Sequence, residues 1–172
     1  SCIAAMSQAS QTLKKLLTYR FIGARYGQDE SLGGHKFGNL MMVALTSIMG
    51  DFSKALSQMQ KIFKTKGKIL PATTEPVSIW AQTSAGERVD REENIDLGRF
   101  TGTIEKLHLK PSNPKTSKEV LDAITQTDLI IAGPGDLYST ILPVLLVPEI
   151  LNAIKKSKAQ KLYVVNVANK LF

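Results

Sequence analysis

The sequence predicts an α/β fold in which parallel strands alternate with helices and a small antiparallel excursion interrupts them. Three observations lead there. After Pro114 the pattern is regular: Val120, Leu121 and Ile124 mark a helix face, residues 128–132 a buried strand, Ile150, Leu151 and Ile154 another helix face, and residues 162–167 another buried strand. Such alternation implies parallel strands joined through right-handed helical crossovers. Between residues 68 and 110 the period changes to that of short antiparallel strands, and the first third of the chain is helical by its spacing.

Taken in order, Cys2-Ile3-Ala4-Ala5-Met6 reads as a helix already under way at the first residue, and Leu13, Leu16 and Leu17 mark an amphipathic helix running to Tyr19. Residues 23–34 carry four glycines with Asp29, Glu30 and Ser31, a loop by composition. From Asn39 the almost wholly apolar stretch through Met49 predicts a buried helix stopped by Gly50-Asp51. Phe52, Leu56, Met59 and Phe63, spaced four, three and four, predict a second amphipathic helix with Gly67 as its C-cap.

Lys68-Ile69-Leu70, residues 77–81 and Arg88-Val89 alternate as short strands, with a turn at Ala85-Gly86. Leu107 and Leu109 alternate with Lys106, His108 and Lys110 in a further strand, which points His108 to solvent; residues 90–103, charged and with two glycines, read as a surface excursion. We read residues 1–172 as one α/β domain, with 68–110 as a strand-rich excursion within it. Its two ends, a helix without a cap and a strand run that stops at its loop, lead us to expect an excerpt of a longer protein.

The chain has 172 residues, 43% of them hydrophobic and 22% charged, with one cysteine and two histidines, and its mean hydropathy is −0.04. This is the composition of an ordinary globular domain, not of a disordered segment. The lone Cys2 excludes an intrachain disulfide framework, and one Cys with two distant His cannot furnish a zinc set. The longest apolar stretch, residues 141–147, is far below the roughly 18 residues that span a bilayer, and Pro143 interrupts it. No basic-then-apolar leader pattern opens the chain, so a cytoplasmic location and no membrane partner are the expectations. The net charge of +7 invites an anionic partner. Because the lysines are spread and aromatics do not interleave with them, we expect solvated faces and no nucleic-acid partner.

Two segments concentrate chemistry. Gly133-Pro134-Gly135-Asp136-Leu137-Tyr138-Ser139-Thr140 follows a predicted parallel strand, and ligands of such sheets sit at the strands' carboxyl ends. Two glycines let a backbone approach a phosphate, with its N–H groups as donors. Asp136 could hold a metal or a sugar hydroxyl, and Tyr138 could stack on a base. Equally, the segment could be a tight turn with Ser139 or Thr140 capping a helix. Asn166 lies near the end of the neighbouring strand. In the second segment, Gly33-Gly34-His35-Lys36-Phe37-Gly38-Asn39, glycines run into a helix whose N-terminus attracts anions. There His35 is an acid–base candidate and Asn39 either caps the helix or binds ligand. Thr73 and Glu75 face a cleft or form a plain polar turn. No Gly-Lys-Ser, Gly-Lys-Thr, dinucleotide fingerprint or Gly-x-Ser-x-Gly elbow occurs.

Gly34-His35-x-x-Gly38-Asn39-Leu40, Gly50-Asp51-Phe52, Leu70-Pro71-Ala72-Thr73 with Glu75, Asp128-Leu129-Ile130 leading to Gly133-Pro134-Gly135-x-Leu137-Tyr138, then Ile141-Leu142-Pro143, Leu146-Val147-Pro148 and Val165-Asn166-Val167 stand in one order. In order and spacing they resemble the YvcK-type proteins of the CofD-like family, also called the gluconeogenesis-factor family. The resemblance spans nearly the whole chain.

The resemblance implies a Rossmann-like fold in a cytoplasmic bacterial protein. Its YvcK branch binds UDP-sugars, notably UDP-N-acetylglucosamine, supports growth on gluconeogenic carbon sources and influences cell shape, with no settled reaction. Its CofD branch transfers a phospholactyl group from a nucleotide-linked donor to a deazaflavin with a divalent metal, Mg2+ being the cofactor in that case. The 141–148 block looks more like the YvcK branch. The expected ligand-binding residues are Gly34, His35, Gly38, Asn39, Thr73, Gly133, Pro134, Gly135, Leu137, Tyr138 and Asn166, with a nucleotide or nucleotide-sugar as partner and homo-oligomer formation left open. The family's Gly-Gly-Gly-Thr-Gly loop has no match here, and Ala168-Asn169-Lys170-Leu171-Phe172 stands where Met-Thr-Gln-Pro-Gly-Glu-Thr is usual. Lys36 and Asp136 replace the family's usual serines and inherit no role from it.

Overall fold

The structure, a computed structural model, describes residues 2–22 and 32–167. The glycine-rich stretch at 23–31 and the divergent segment at 168–172 lie outside them. By its internal contacts the chain forms two compact units, Ser1–Pro71 and Ala72–Phe172.

The first unit is helical: α1 (Cys2–Met6), α2 (Gln11–Thr18), α3 (Phe37–Met49) and α4 (Phe52–Ile62). Ile3, Leu17, Leu56, Met59 and Phe63 form its core, with Met41, Met42 and Leu45 of α3 packed against it. The N-caps of α2 and α4 are Ser10 and Asp51, whose side chains accept from Leu13 N and Lys54 N. The helix expected to be buried is not: α3 has no buried residue, and Val43 and Ile48 are 69% and 73% exposed. An all-apolar helix carries no record of which face packs, and here only the Met41, Met42 and Leu45 side finds the core.

Helix α4 ends earlier than expected, at Ile62. Lys64 takes a left-handed conformation with φ 48°, Thr65 N donates to Gln60 O, and Lys64 N donates to Lys61 O. These bonds make a Schellman closure with lysine, not Gly67, at the left-handed position. The predicted strand at 68–70 is absent because its backbone pairs with a side chain. The Gln60 amide donates to Ile69 O at 3.0 Å and accepts from Ile69 N at 2.7 Å, satisfying the groups a neighbouring strand would otherwise take.

The second unit holds both sheets. β1 (Ser78–Thr83) is flanked antiparallel by β2 (Arg88–Asp90) and β3 (Ile104–Lys110). Ile79, Ala81, Thr83, Val89 and Leu109 are buried. Residues 90–103 are not purely a surface excursion: α5 (Glu92–Asp96) lies within them and drives Ile95 to 1% exposure. His108 does not face open solvent; its ring stacks on Trp80 at 4.1 Å between centroids and its Nε2 is buried. Trp80 and His108 are register partners, which brings their rings together.

After α6 (Lys118–Gln126) come β4 (Leu129–Ala132), a π-helical turn at Leu137–Ile141, α7 (Leu142–Leu145), α8 (Pro148–Lys156) and β5 (Gln160–Tyr163). β4 and β5 pair in parallel, Leu129 opposite Gln160 and Ala132 opposite Tyr163, as the alternation required. The strands are less buried than their apolar runs imply, Leu129 and Ile131 being 45% and 55% exposed. In β4 only the alternate residues Ile130 and Ala132 are half-buried. Among the described residues no single helix is long and apolar enough to cross a membrane.

Candidate functional site

In the second unit, β4 runs directly into the Gly133-Pro134-Gly135 loop. Gly133 adopts φ +89°, and a Cβ there would strike the Val164 carbonyl. Only glycine combines that backbone with so close a neighbour. Val164 N donates to Ala132 O at 2.9 Å, drawing the chain after β5 alongside the loop, and Asn166 Nδ2 donates to Gly135 O at 3.0 Å. Thus Asn166 and the Gly133–Tyr138 segment, far apart in sequence, meet at the carboxyl ends of the parallel pair.

Asp136 is the N-cap of the turn that follows. Its Oδ1 accepts from Tyr138 N at 3.1 Å, Ser139 N at 2.8 Å and Ser139 Oγ at 2.8 Å. The capping expected of Ser139 or Thr140 is therefore done by Asp136, whose short carboxylate reaches two successive amides. That carboxylate is a structural acceptor in this arrangement. The N–H groups of Gly135 and Leu137 make no hydrogen bond to described residues and are the donors the loop can offer to a ligand. Pro134 and Leu137 are exposed, and Tyr138 is half-buried. Spacing gave no sign of Asp96 at the end of α5, whose Oδ1 lies 3.3 Å from Ser139 Oγ.

Thr73 and Glu75 form a turn and a tie. Thr73 Oγ1 accepts from Glu75 N at 3.1 Å, and Glu75 Oε1 accepts from Lys115 N at 2.8 Å. Beside them Glu149 accepts from Thr116 N at 2.9 Å and from Lys115 Nζ at 3.4 Å. The Thr116 amide, with Lys115 assisting, holds the Glu149 carboxyl below its ordinary range.

In the first unit, Gly34 has φ +73°, and its N–H donates to Phe21 O while its carbonyl accepts from Arg20 Nη1. His35 is exposed, and its backbone is engaged by Phe21 and Leu32. Helix α3 begins at Phe37, so Asn39 sits within its first turn and does not cap it; Lys36 holds the cap position without a side-chain bond. Gly38 has a packing reason of its own, since a Cβ there would lie 2.7 Å from Leu17 O. Lys36, Gly38 and Asn39 line the rim of a cleft of about 250 Å³ whose floor is Leu17, Met42 and Met59. Among the described residues no three His, Cys, Asp or Glu side chains gather as a metal-holding group.

An α/β protein with a glycine loop and an asparagine at the carboxyl ends of parallel strands belongs to a broad class that binds ligands there. A family model described as 2-phospho-L-lactate transferase CofD matches residues 1–171, and the chain belongs to that family. It is 44% identical over 168 residues to a putative gluconeogenesis factor of Aquifex aeolicus, covering 97% of this chain and 49% of that protein. To the gluconeogenesis factor of Bacillus subtilis it is 37% identical over 165 residues, covering 96% and 50% respectively. A crystal structure of a Bacillus halodurans protein described as a member of the upf0052 family superposes with a TM-score of 0.83 at 37% identity, over 96% of this chain and 51% of that one. The chain spans about half the length of these relatives.

Proposed function

We propose that the chain binds a nucleotide-sugar of the UDP-N-acetylglucosamine kind and serves in the cytoplasm as a regulator of central carbon metabolism and cell morphology in bacteria. The observation that carries the reading is the Gly133–Leu137 loop. It is a backbone with two unused N–H donors at the carboxyl end of a parallel strand, braced by Asn166. Amides held in fixed positions suit a diphosphate, whose charge they meet without rearranging. The relatives named gluconeogenesis factor support the metabolic half of the proposal.

A second reading, transfer of a phospholactyl group from a nucleotide-linked donor to a deazaflavin, is favoured by the description of the matching family model. In it the same loop would hold the donor's diphosphate near an acceptor hydroxyl, proximity supplying part of the rate. Mg2+ belongs to that reading, and because no metal-holding cluster stands among the described residues, no step is assigned to it. Calorimetric titration with UDP-N-acetylglucosamine, GDP and GTP separates the two. Saturable uridine-nucleotide binding without product supports the regulator; guanine-nucleotide binding with turnover on a deazaflavin replaces it with the transferase. Binding of neither class rejects both.

A further inference from the structure

We propose that Asp96, on the antiparallel side of the second unit, is a positioning residue for the ligand loop and acts through Ser139. The inference rests on the nucleotide-site reading above and extends the site to an element that reading does not use. Ser139 is the first-turn residue whose Oγ meets two carboxylates, Asp136 Oδ1 at 2.8 Å and Asp96 Oδ1 at 3.3 Å. The first contact is local, three residues apart, and belongs to the cap. The second spans 43 residues and ties the π-helical turn to α5. α5 is a suitable anchor, because the neighbouring Ile95 is fully buried and α5 packs on β1 and β2 as well as on the turn.

A hydroxyl has a single proton to donate, so at any moment Ser139 donates to one carboxylate and the other is the weaker partner. Removing the Asp96 carboxylate therefore leaves the cap intact and withdraws the tether. What it changes is the freedom of the turn bearing Leu137 and Tyr138, one of whose amides is a proposed ligand donor. Preorganised donors bind better than mobile ones, since a ligand need not order them.

Charge and tether make opposite predictions, which makes the idea testable. Asp96→Asn and Asp96→Ala both delete a negative charge near an anion site, and on charge alone both would bind UDP-N-acetylglucosamine at least as well as wild type. Only the asparagine keeps an oxygen that accepts from Ser139. If Asp96 positions the loop, Asp96→Asn matches or exceeds wild-type affinity, and Asp96→Ala binds roughly tenfold more weakly with an unchanged melting temperature. In a Ser139→Ala background, Asp96→Ala should then weaken affinity clearly less than it does in wild type, since the path through Ser139 is already gone.

Amide hydrogen exchange of the ligand-free protein gives a readout that does not depend on the ligand. Tyr138, Ser139 and Thr140 should exchange faster in Asp96→Ala and not in Asp96→Asn, with β3 amides unaffected. Equal affinities for the alanine and asparagine variants, or unchanged exchange at those three amides, would overturn the inference. Should wild type bind none of the nucleotides, the functional reading fails, and the exchange result alone decides whether Asp96 orders the turn.

Discussion

Gly133 and Gly135 stand two residues apart in one loop, and their substitutions should behave differently. Gly133 needs its left-handed φ of +89° and sits against the Val164 carbonyl. Gly133→Ala adds backbone strain of about 1–3 kcal/mol together with a clash against backbone that has little room to move, so the urea midpoint should fall clearly. A Cβ at Gly135 would instead approach the side-chain tips of Ile141 and Thr140, each at 3.2 Å, and its φ is not positive. Gly135→Ala should leave the unfolding free energy from urea titration within about 0.5 kcal/mol of wild type and, if the loop holds a diphosphate, weaken nucleotide binding by more than the stability change explains. Unchanged affinity in Gly135→Ala, measured by calorimetry, would count against close approach of the diphosphate at Gly135.

At the scale of elements, helix ends show how a local conflict is resolved. Lys64 carries a left-handed φ of 48° to close α4, a position for which glycine pays no steric penalty. Lys64→Gly should relieve about 1 kcal/mol of strain, partly offset by the greater freedom glycine gives the unfolded chain. The expected result is a melting temperature raised by a few degrees with nucleotide affinity unchanged. A lowered melting temperature would mean that the Lys64 side chain contributes more than its backbone costs. The segment following α4 makes the complementary case: Gln60 binds both backbone groups of Ile69, so one side chain replaces a strand that alternation predicts.

Across the whole molecule, several surface carboxylates are held below their ordinary range by hydrogen bonds: Glu87 by the Thr101 amide and hydroxyl, Asp90 by the Arg88 guanidinium, and Glu149 by the Thr116 amide with Lys115. A carboxyl with a depressed folded-state pKa binds protons more readily when unfolded. Its contribution is therefore complete at neutral pH and is lost as pH falls from the unfolded value, 4.5 for the glutamates, through the folded one. The melting temperature should be flat from pH 7 to about 5 and decline below that, more shallowly in Glu149→Gln, whose amide carries no titrating group. A parallel decline in wild type and variant would show that the Glu149 tie to residues 115 and 116 does not contribute to acid sensitivity.

Sequence by itself determined the fold class, the alternation behind the parallel pair, the helical first unit, the Gly-Pro-Gly loop at a strand's carboxyl end and, through ordered motifs, the family. All of these are written in local spacing, in glycines and prolines, or in blocks whose order survives along the chain. Tertiary structure alone decided which faces are covered. Val43 and Ile48 on α3, and Leu129 and Ile131 on β4, are as apolar as the half-buried residues beside them, and hydrophobicity does not name a packing partner. It also decided the partners of polar groups: Asp136 as the cap, Asn166 on Gly135, Asp96 on Ser139 across 43 residues, and His108 against Trp80. A hydrogen bond is set by distance in space, and spacing in sequence records that distance only within a turn of helix or between neighbours in a strand.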